Sequence, residues 1–241
     1  MTEMPNAPQY APEQFTVPPK KRRTALWISI AAVVVVAAVV TTILLISNSS
    51  SATLTVDKAL EKALLTSSDF PSGYDVSVLT QDEIDKLNQQ QQLPDDIQPA
   101  ECSDLMRSQP KPTGDYSVGG MKATNAGERT GYSEIVTPVG GYGEWNPSRI
   151  DEVIGKCGTT TFSQDGQSGT VSFAKLTGVN GDGFALRTRI EGGGVKLTLG
   201  VAITKVGEHV VVFTGAYGRT FDEASFVRLA NAANEKARAT L

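Results

Sequence analysis

The residues of this chain that could do chemistry are basic and hydroxyl-bearing side chains at alternating positions of three predicted strands. Alternate residues of a strand point to the same face of a sheet, so these side chains are expected to lie together. If that face is open, it forms a shallow groove for an anionic or hydroxylated ligand. If it is only the solvated side of a two-layer domain, the same residues need no ligand. The candidate ligand-binding residues are Arg187, Arg189, Lys196, Thr198, Thr204 and His209.

Sequence motifs of catalytic centres are missing. The chain contains no GxSxG, HExxH or Walker sequence, and no paired-glycine dinucleotide fingerprint after a strand. A Ser-His-Asp triad would need His209, but that residue begins the apolar run HVVVF, which is typical of a strand. The acidic pair Asp222-Glu223 falls at a predicted helix start, where the helix dipole favours acids. We therefore expect neither an enzyme nor a bound cofactor.

Strands separated by glycine turns supply the scaffold for these side chains. Strands are predicted at 170–176, 184–190, 195–204 and 209–217. Residues 184–190 and 195–204 alternate in polarity, which with the short turns is typical of antiparallel hairpins with one packed face and one partly wet face. A further strand is predicted from Arg129. The expected fold class is α+β, with an antiparallel β-sheet of about five to six strands, flanking helices and a C-terminal helix packed on it. One transmembrane helix precedes this domain.

Helices are predicted before, between and after the strands. Short helices are expected at 82–87 and around Cys102, and Asn146-Pro147 opens another with asparagine as its N-cap. A Thr-x-x-Glu capping box at 220–223 begins the last helix, whose apolar face comprises Phe226, Leu229, Ala230, Ala233 and Ala237. An amphipathic helix ending near Thr66 is predicted from the helical spacing of Val56, Ala59, Leu60, Ala63 and Leu64.

A long apolar stretch sets the expected location of the protein. Residues 25–46 carry no charge, and as a helix they measure roughly 33 Å, enough to cross a hydrocarbon core of about 30 Å. Four basic residues at 20–23 precede it, so the N-terminus should stay in the cytoplasm. A signal peptide cleaved near Ala52 is the alternative. We expect a cytoplasmic tail at 1–24, a transmembrane helix at 25–47, a spacer at 48–55 and an extracytoplasmic domain at 56–241.

Charge and composition differ on the two sides of that stretch. The first 24 residues carry four basic against two acidic residues and five of the 12 prolines, which is typical of a disordered tail. The rest of the chain carries 18 basic against 24 acidic residues. An acidic, evenly charged domain argues against binding to nucleic acid and against adsorption to anionic lipid.

The two cysteines, Cys102 and Cys157, both follow the apolar stretch and would therefore be extracytoplasmic. Two thiols in an oxidising compartment most simply form one disulfide, and each falls on the inward face of a predicted short helix. A zinc site lacks ligands, because the chain has one histidine and no CxxC motif. We expect a disulfide between Cys102 and Cys157 and no metal.

Several segments of the domain are similar to a known family. They are LLTSSDFPSGY, PAECSDLM, IDEVIGKC and VGEHVVVFTGAYG, followed by the closing alanine-rich helix. Over roughly residues 56–241 the chain resembles the extracellular sensor domains of actinobacteria, typified by the PknH-like domain of a mycobacterial Ser/Thr kinase. The resemblance implies an antiparallel sheet with flanking helices, disulfide cross-linking and a cleft for an unidentified envelope ligand. The family pattern has two disulfides, of which this chain can form one.

Together these observations predict a single-pass plasma-membrane protein with a cytoplasmic N-terminus and an extracytoplasmic, sensor-like domain that binds a ligand and has no enzymatic activity. Its partners would be the lipid bilayer, through residues 25–47, and an unknown envelope ligand or protein. One alternative is a scaffold that docks on another envelope protein, which requires an exposed apolar patch. Another is a cell-wall hydrolase, which requires two carboxylates in one pocket.

Overall fold

A computed structural model of the chain describes residues 52–89, 96–107, 114–142, 146–164, 167–192 and 194–241. The predicted tail at 1–24 and the predicted transmembrane helix at 25–47 lie outside these ranges. Within them, no helix combines the length and the apolar character needed to cross a membrane.

One twisted sheet forms the centre of the described part of the chain. Its ten strands are β1 (Ala52–Val56), β2 (Asp75–Val78), β3 (Asp96–Gln98), β4 (Gly114–Asn125), β5 (Thr130–Pro138), β6 (Thr159–Gln164), β7 (Gln167–Leu176), β8 (Asp182–Gly192), β9 (Val195–Val206) and β10 (His209–Tyr217). They lie in the order β1-β4-β5-β10-β9-β8-β7-β6-β3, and β2 also pairs with β4. The β1–β4 pair is parallel and the other pairs are antiparallel.

Four α-helices and three short 3-10 helices are found in the described ranges. The α-helices are α1 (Gln81–Gln89), α2 (Ala100–Arg107), α3 (Arg149–Cys157) and α4 (Glu223–Thr240). The 3-10 helices are Leu60–Ala63, Ser67–Asp69 and Val139–Tyr142. The prediction of an α+β fold with a C-terminal helix packed on an antiparallel sheet is thus confirmed in outline.

The predicted number of strands, about five to six, was wrong, because β1 to β4 and β6 show no clear strand pattern in the sequence. Strand β4 contains Gly119-Gly120, a pair that normally marks a turn. Here the glycines allow close packing: a Cβ added at Gly119 would lie 2.7 Å from the Leu60 side chain, and one at Gly120 would lie 2.8 Å from Leu79. Of the other unpredicted strands, β1 to β3 are only three to five residues long and β6 has six residues.

The amphipathic helix predicted to end near Thr66 is also absent as such. Val56 ends β1, which includes residues 52–55 that the sequence assigned to the spacer, and only Leu60–Ala63 is helical, as a 3-10 helix. The buried face was predicted only in part: Leu60, Ala63 and Leu64 are 6%, 0% and 1% exposed, whereas Val56 is half-buried and Ala59 is exposed. Five apolar positions at helical spacing are too few to outweigh the pairing of residues 52–56 with β4.

The starts of two predicted helices lie further along the chain than expected. Helix α3 begins at Arg149 after Ser148, and Asn146 instead forms the preceding turn, in which its carbonyl accepts the Arg149 N–H. Helix α4 begins after Asp222, whose carboxylate accepts the Ser225 N–H at 3.0 Å. In both cases the N-cap is a residue of the preferred type, two residues beyond the predicted one.

Both faces of the central strands are covered, so the expected division into one packed and one wet face was wrong there. On one side, α4 and the 3-10 helix Leu60–Ala63 pack against Ala185, Ala202, Val211 and Phe213. On the other side, α2 and α3 pack against Leu186, Val201, Ile203, Val210 and Val212. The register of β8, β9 and β10 assigns these two sets to opposite faces.

The predicted disulfide is confirmed. Cys102 of α2 and Cys157 of α3 are bonded, their Cα atoms are 5.0 Å apart, and both side chains are 0% exposed. The Thr160 hydroxyl lies 3.3 Å from the Cys102 sulfur and donates to the Cys157 carbonyl at 3.0 Å. The bond therefore joins two helices that cover the same side of the sheet.

Replacing Cys157 with alanine should lower the free energy of unfolding by about 2–5 kcal/mol, because the cross-link no longer restricts the unfolded chain. Thermal unfolding measures the change, and thiol titration after denaturation should find one thiol in the variant and none in the wild type. An unchanged melting temperature together with an unchanged thiol count would contradict the cross-link.

Replacing Gly200 with alanine should destabilise the protein by about 1–3 kcal/mol, since the added methyl group would lie 2.6 Å from the Phe226 ring. Chemical denaturation measures this loss. The matched control is Gly155→Ala, where nothing lies within 4 Å of the new Cβ and a helix interior gains from alanine. Equal effects of the two substitutions would show that contact with Phe226 does not limit position 200.

Candidate functional site

A polar surface lies on the α4 side of strands β6 to β9. Strand register places alternate residues of these four strands on the face that α4 also contacts. In contrast to the central strands, the side chains here are all exposed or half-buried. We call this surface the polar patch; it consists of Thr159, Thr161, Ser163, Thr170, Ser172, Arg187, Arg189, Glu191, Lys196 and Thr198.

The polar patch is built from rows of directly paired residues that cross the strands. Neighbouring strands are about 4.8 Å apart, so four strands give a surface about 14 Å wide. Arg187 and Arg189 are two residues apart on β8 and therefore roughly 7 Å apart along the strand. One row comprises Thr159, Ser172, Arg189 and Thr198, and the next comprises Thr161, Thr170, Glu191 and Lys196.

The charges of the polar patch leave two guanidinium groups available. Lys196 Nζ and Glu191 Oε2 are 3.5 Å apart, in a surface pair whose side chains are 79% and 45% exposed. Neither Arg187 nor Arg189 has a hydrogen-bond or ion-pair partner within the described ranges. Two unpaired arginines beside hydroxyl groups favour an anion as the ligand, because a guanidinium group binds carboxylate or phosphate through paired N–H donors.

The six candidate residues from the sequence share one face of the sheet, but only four of them belong to the polar patch. Arg187, Arg189, Lys196 and Thr198 lie together. Thr204 is 1% exposed beneath α4. His209 is opposite Val206 at the far end of β9, roughly 26 Å along the strand from Thr198. Thr204 and His209 are therefore not positioned to share a ligand with the other four, whose binding role stays a prediction.

Asparagine side chains of α4 explain why Thr204 is covered. Asn234 Nδ2 donates to the Thr204 hydroxyl at 3.1 Å and to the Asn180 carbonyl at 3.0 Å. Asn231 accepts the Asn180 N–H at 2.7 Å and donates to the Gly178 carbonyl at 2.8 Å. These bonds hold the middle of α4 to the β7–β8 turn, so that end of the face is closed.

Sequence reasoning missed the hydroxyl side chains that β6 and β7 add to the polar patch. They are Thr159, Thr161, Ser163, Thr170 and Ser172. The sequence signal was weak, because Thr160 of the opposite face is also a hydroxyl residue and only Phe162 interrupts the run TTTFS. Strand β6 was not predicted, so these side chains could not be assigned to a face.

Aromatic rings border the polar patch on the β10 side. Tyr217 is paired with Thr198, and the half-buried ring of Phe221 meets the Tyr217 ring edge-on, with centroids 4.8 Å apart. The Tyr132 and Tyr217 hydroxyls are 2.9 Å apart. Burial raises the pKa of both tyrosines above the usual value, so these hydroxyls stay protonated and do not act as bases near neutral pH.

The carboxylate with the most unusual environment lies outside the polar patch. Glu134 of β5 is 0% exposed, and burial raises its pKa to about 7, while a hydrogen bond from the Leu65 N–H opposes that rise. Across the described ranges, the structure brings together no three His, Cys, Asp or Glu side chains that could hold a metal ion. The arrangement of the polar patch thus suits binding by charge and hydrogen bonds.

No family model and no curated protein matches this chain. It is similar to the solved structure of an uncharacterised protein from Mycobacterium smegmatis, an orthologue of Rv0999, with 19% identity over 71% of this chain and 92% of that one, at a TM-score of 0.47. It is also similar to the extracellular domain of PknH from Mycobacterium tuberculosis, with 12% identity over 50% of this chain and 66% of that one, at a TM-score of 0.33. Both TM-scores are below 0.5.

Proposed function

We propose that the chain is a membrane-anchored binding protein whose extracytoplasmic domain holds an anionic, hydroxyl-bearing ligand of the cell envelope on the polar patch. The observation that carries the proposal is the unpaired state of Arg187 and Arg189, within the described ranges, in a domain that is acidic overall. In such a domain an arginine without a carboxylate partner is available to a ligand. The eight other side chains of the polar patch, all exposed or half-buried and polar, offer further hydrogen bonds.

The distribution of carboxylates supports a binding role over catalysis. Hydrolysis of a glycosidic bond uses two carboxyl groups facing the scissile bond, about 5–10 Å apart. The polar patch contains one, Glu191, and it is paired with Lys196. Glu134 has a pKa of about 7, which would suit a general acid, but its side chain is 0% exposed in the covered region of the sheet.

The distribution of exposed apolar side chains favours ligand binding over a scaffold role. Docking on another protein would use a contiguous apolar surface. In the described ranges the large exposed hydrophobic residues are Val78, Val195 and Leu241, which belong to β2, to the start of β9 and to the C-terminus. Three single residues on separate elements do not form such a surface.

Membrane anchoring is the second part of the proposal. It rests on the uncharged stretch at 25–46, on the basic residues before it, and on the buried disulfide, which suits an oxidising compartment. The domain would then present the polar patch outside the plasma membrane, with β1 as its first element after the span.

The ligand class can be tested by titrating the full chain in detergent with tripolyphosphate, with an oligogalacturonate and with a neutral cello-oligosaccharide. We expect binding of the two anions and weaker or no binding of the neutral sugar. Arg187→Gln combined with Arg189→Gln should weaken anion binding at least tenfold, because each charge-assisted hydrogen bond contributes about 1.5–3 kcal/mol.

The matched control for this titration is Lys86→Gln, which removes an exposed cation of α1 and should leave the affinity unchanged. Failure of both anions to bind, or equal losses in the control and the double variant, would contradict the proposed site.

Anchoring can be tested by fractionating cells that express the full chain. The protein should stay with membranes after alkaline carbonate extraction. Replacing Val34 and Val36 with arginine should release it or prevent its export, since each charge at the centre of a span costs about 2.5–3.5 kcal/mol. Recovery of the wild-type chain from the culture medium, beginning near Ala52, would contradict the anchor and favour a cleaved signal peptide.

A further inference from the structure

A buried acid lies in the centre of the sheet where the alternation of β5 calls for an apolar residue. Tyr132, Glu134 and Val136 occupy successive inward positions of this strand, and all three are buried. Glu134 is flanked across the sheet by Met121 of β4 and Phe213 of β10. Burying a carboxyl group in apolar surroundings costs free energy unless hydrogen-bond or charged partners compensate for it. The contacts of Glu134 therefore indicate its role.

One contact joins Glu134 to the segment that follows β1. Its Oε2 accepts the Leu65 N–H at 2.8 Å, and its Oε1 is buried without a partner in the described part of the chain. Residues 57–69, here called the docking segment, contain the two 3-10 helices at Leu60–Ala63 and Ser67–Asp69. The docking segment therefore covers a carboxyl group that has only half of its hydrogen-bonding capacity satisfied.

The docking segment packs on β4 and against α4. Leu60, Ala63, Leu64 and Leu65 are buried against the sheet and α4. Its last residue, Asp69, is held to α4 by an ion pair with Lys236, at 3.2 Å between Oδ2 and Nζ. Apart from β1, it is the part of the described domain nearest in sequence to residues 25–47.

Two charged groups influence the carboxyl group of Glu134 from the elements packed on it. Lys236 of α4 favours the ionised form and Asp69 of the docking segment disfavours it. The other charged residues of the docking segment, Asp57, Lys58, Glu61 and Lys62, are exposed or half-buried. Lys236 is also paired with Asp69, so burial is the dominant influence on the pKa of Glu134.

We propose that Glu134 is a pH-responsive latch, which keeps the docking segment on the sheet while its carboxyl group is protonated and lets the segment lift when that group ionises. Lifting the segment exposes the carboxylate to water, which removes the cost of burying its charge. The inference is independent of the ligand on the polar patch, because Glu134 and the docking segment are not part of that surface.

The sign of the effect follows from proton linkage. In the closed state the pKa of Glu134 is about 7, and in an open, solvated state it returns to the ordinary value of 4.5. Between these values the closed state binds more protons, so a rise in pH favours opening. The effect begins near pH 4.5 and is complete above pH 7. Between pH 5 and pH 8 the opening equilibrium should increase by about 70-fold.

Hydrogen exchange of the full chain in detergent, followed by mass spectrometry from pH 5 to pH 8, tests the latch. After correction for intrinsic exchange rates, peptides from the docking segment should lose protection as pH rises. They should also be less protected than β9 peptides at every pH, because the segment opens without the rest of the domain. Glu134→Gln should abolish this pH dependence, whereas Glu235→Gln, an exposed neighbour of Lys236 on α4, should preserve it.

A further variant keeps the test decisive if Glu134→Gln does not fold. Lys236→Gln breaks the ion pair with Asp69, so it should increase exchange of the docking segment at each pH and retain the rise with pH. The proposal is overturned if wild-type protection of the segment does not change with pH. It is also overturned if the segment and β9 exchange together, which would mean that the segment opens only when the whole domain unfolds.

Discussion

The contact of Phe226 with the backbone of the sheet determines where α4 lies and, as a result, which part of that face stays polar. The Phe226 ring packs on Gly200 of β9 and Gly215 of β10, which are directly paired, and any side chain at Gly200 would overlap it. From this point α4 runs toward Thr204, which it covers. On the same face, the positions of β8 and β9 on the other side of Gly200 from Thr204 are exposed or half-buried. They carry Arg187, Arg189, Lys196 and Thr198.

The same contact explains why the sheet has two kinds of surface on one face. Where α4 and the docking segment lie, the inward positions are small or apolar, as at Ala185, Ala202 and Val211. Where they do not, the same strands carry charge and hydroxyl groups. Glu134 and Thr204 are exceptions, polar residues buried in the covered region.

Most of the C-terminal half of the fold could be predicted from sequence, because its strands are long, β8 and β9 alternate in polarity, and short glycine turns join them. The N-terminal half could not, because its strands are three to five residues long or, in β4, contain glycines that serve packing. The disulfide could be predicted because the chain has two cysteines and both were expected to lie in an oxidising compartment. The burial of both faces was not, since an alternating strand does not reveal that a distant helix covers its polar side.

The candidate site was predictable only in part for the same reason. Alternation correctly grouped Arg187, Arg189, Lys196 and Thr198 on one face, and it grouped Thr204 with them as well. Whether a threonine on that face meets solvent or Asn234 depends on the position of α4, which no local pattern encodes. Glu134 had a readable signal, because it occupies an inward position between Tyr132 and Val136.

The parallel pairing of β1 with β4 has a mechanical consequence. Five consecutive residues, from Ala52 to Val56, are aligned with Gly114 to Val118. Tension applied at Ala52 along the strand axis would load all of these hydrogen bonds in shear at once, whereas a perpendicular pull would break them one after another. The sheet edge is therefore built to resist force that arrives from the N-terminal side along the strand.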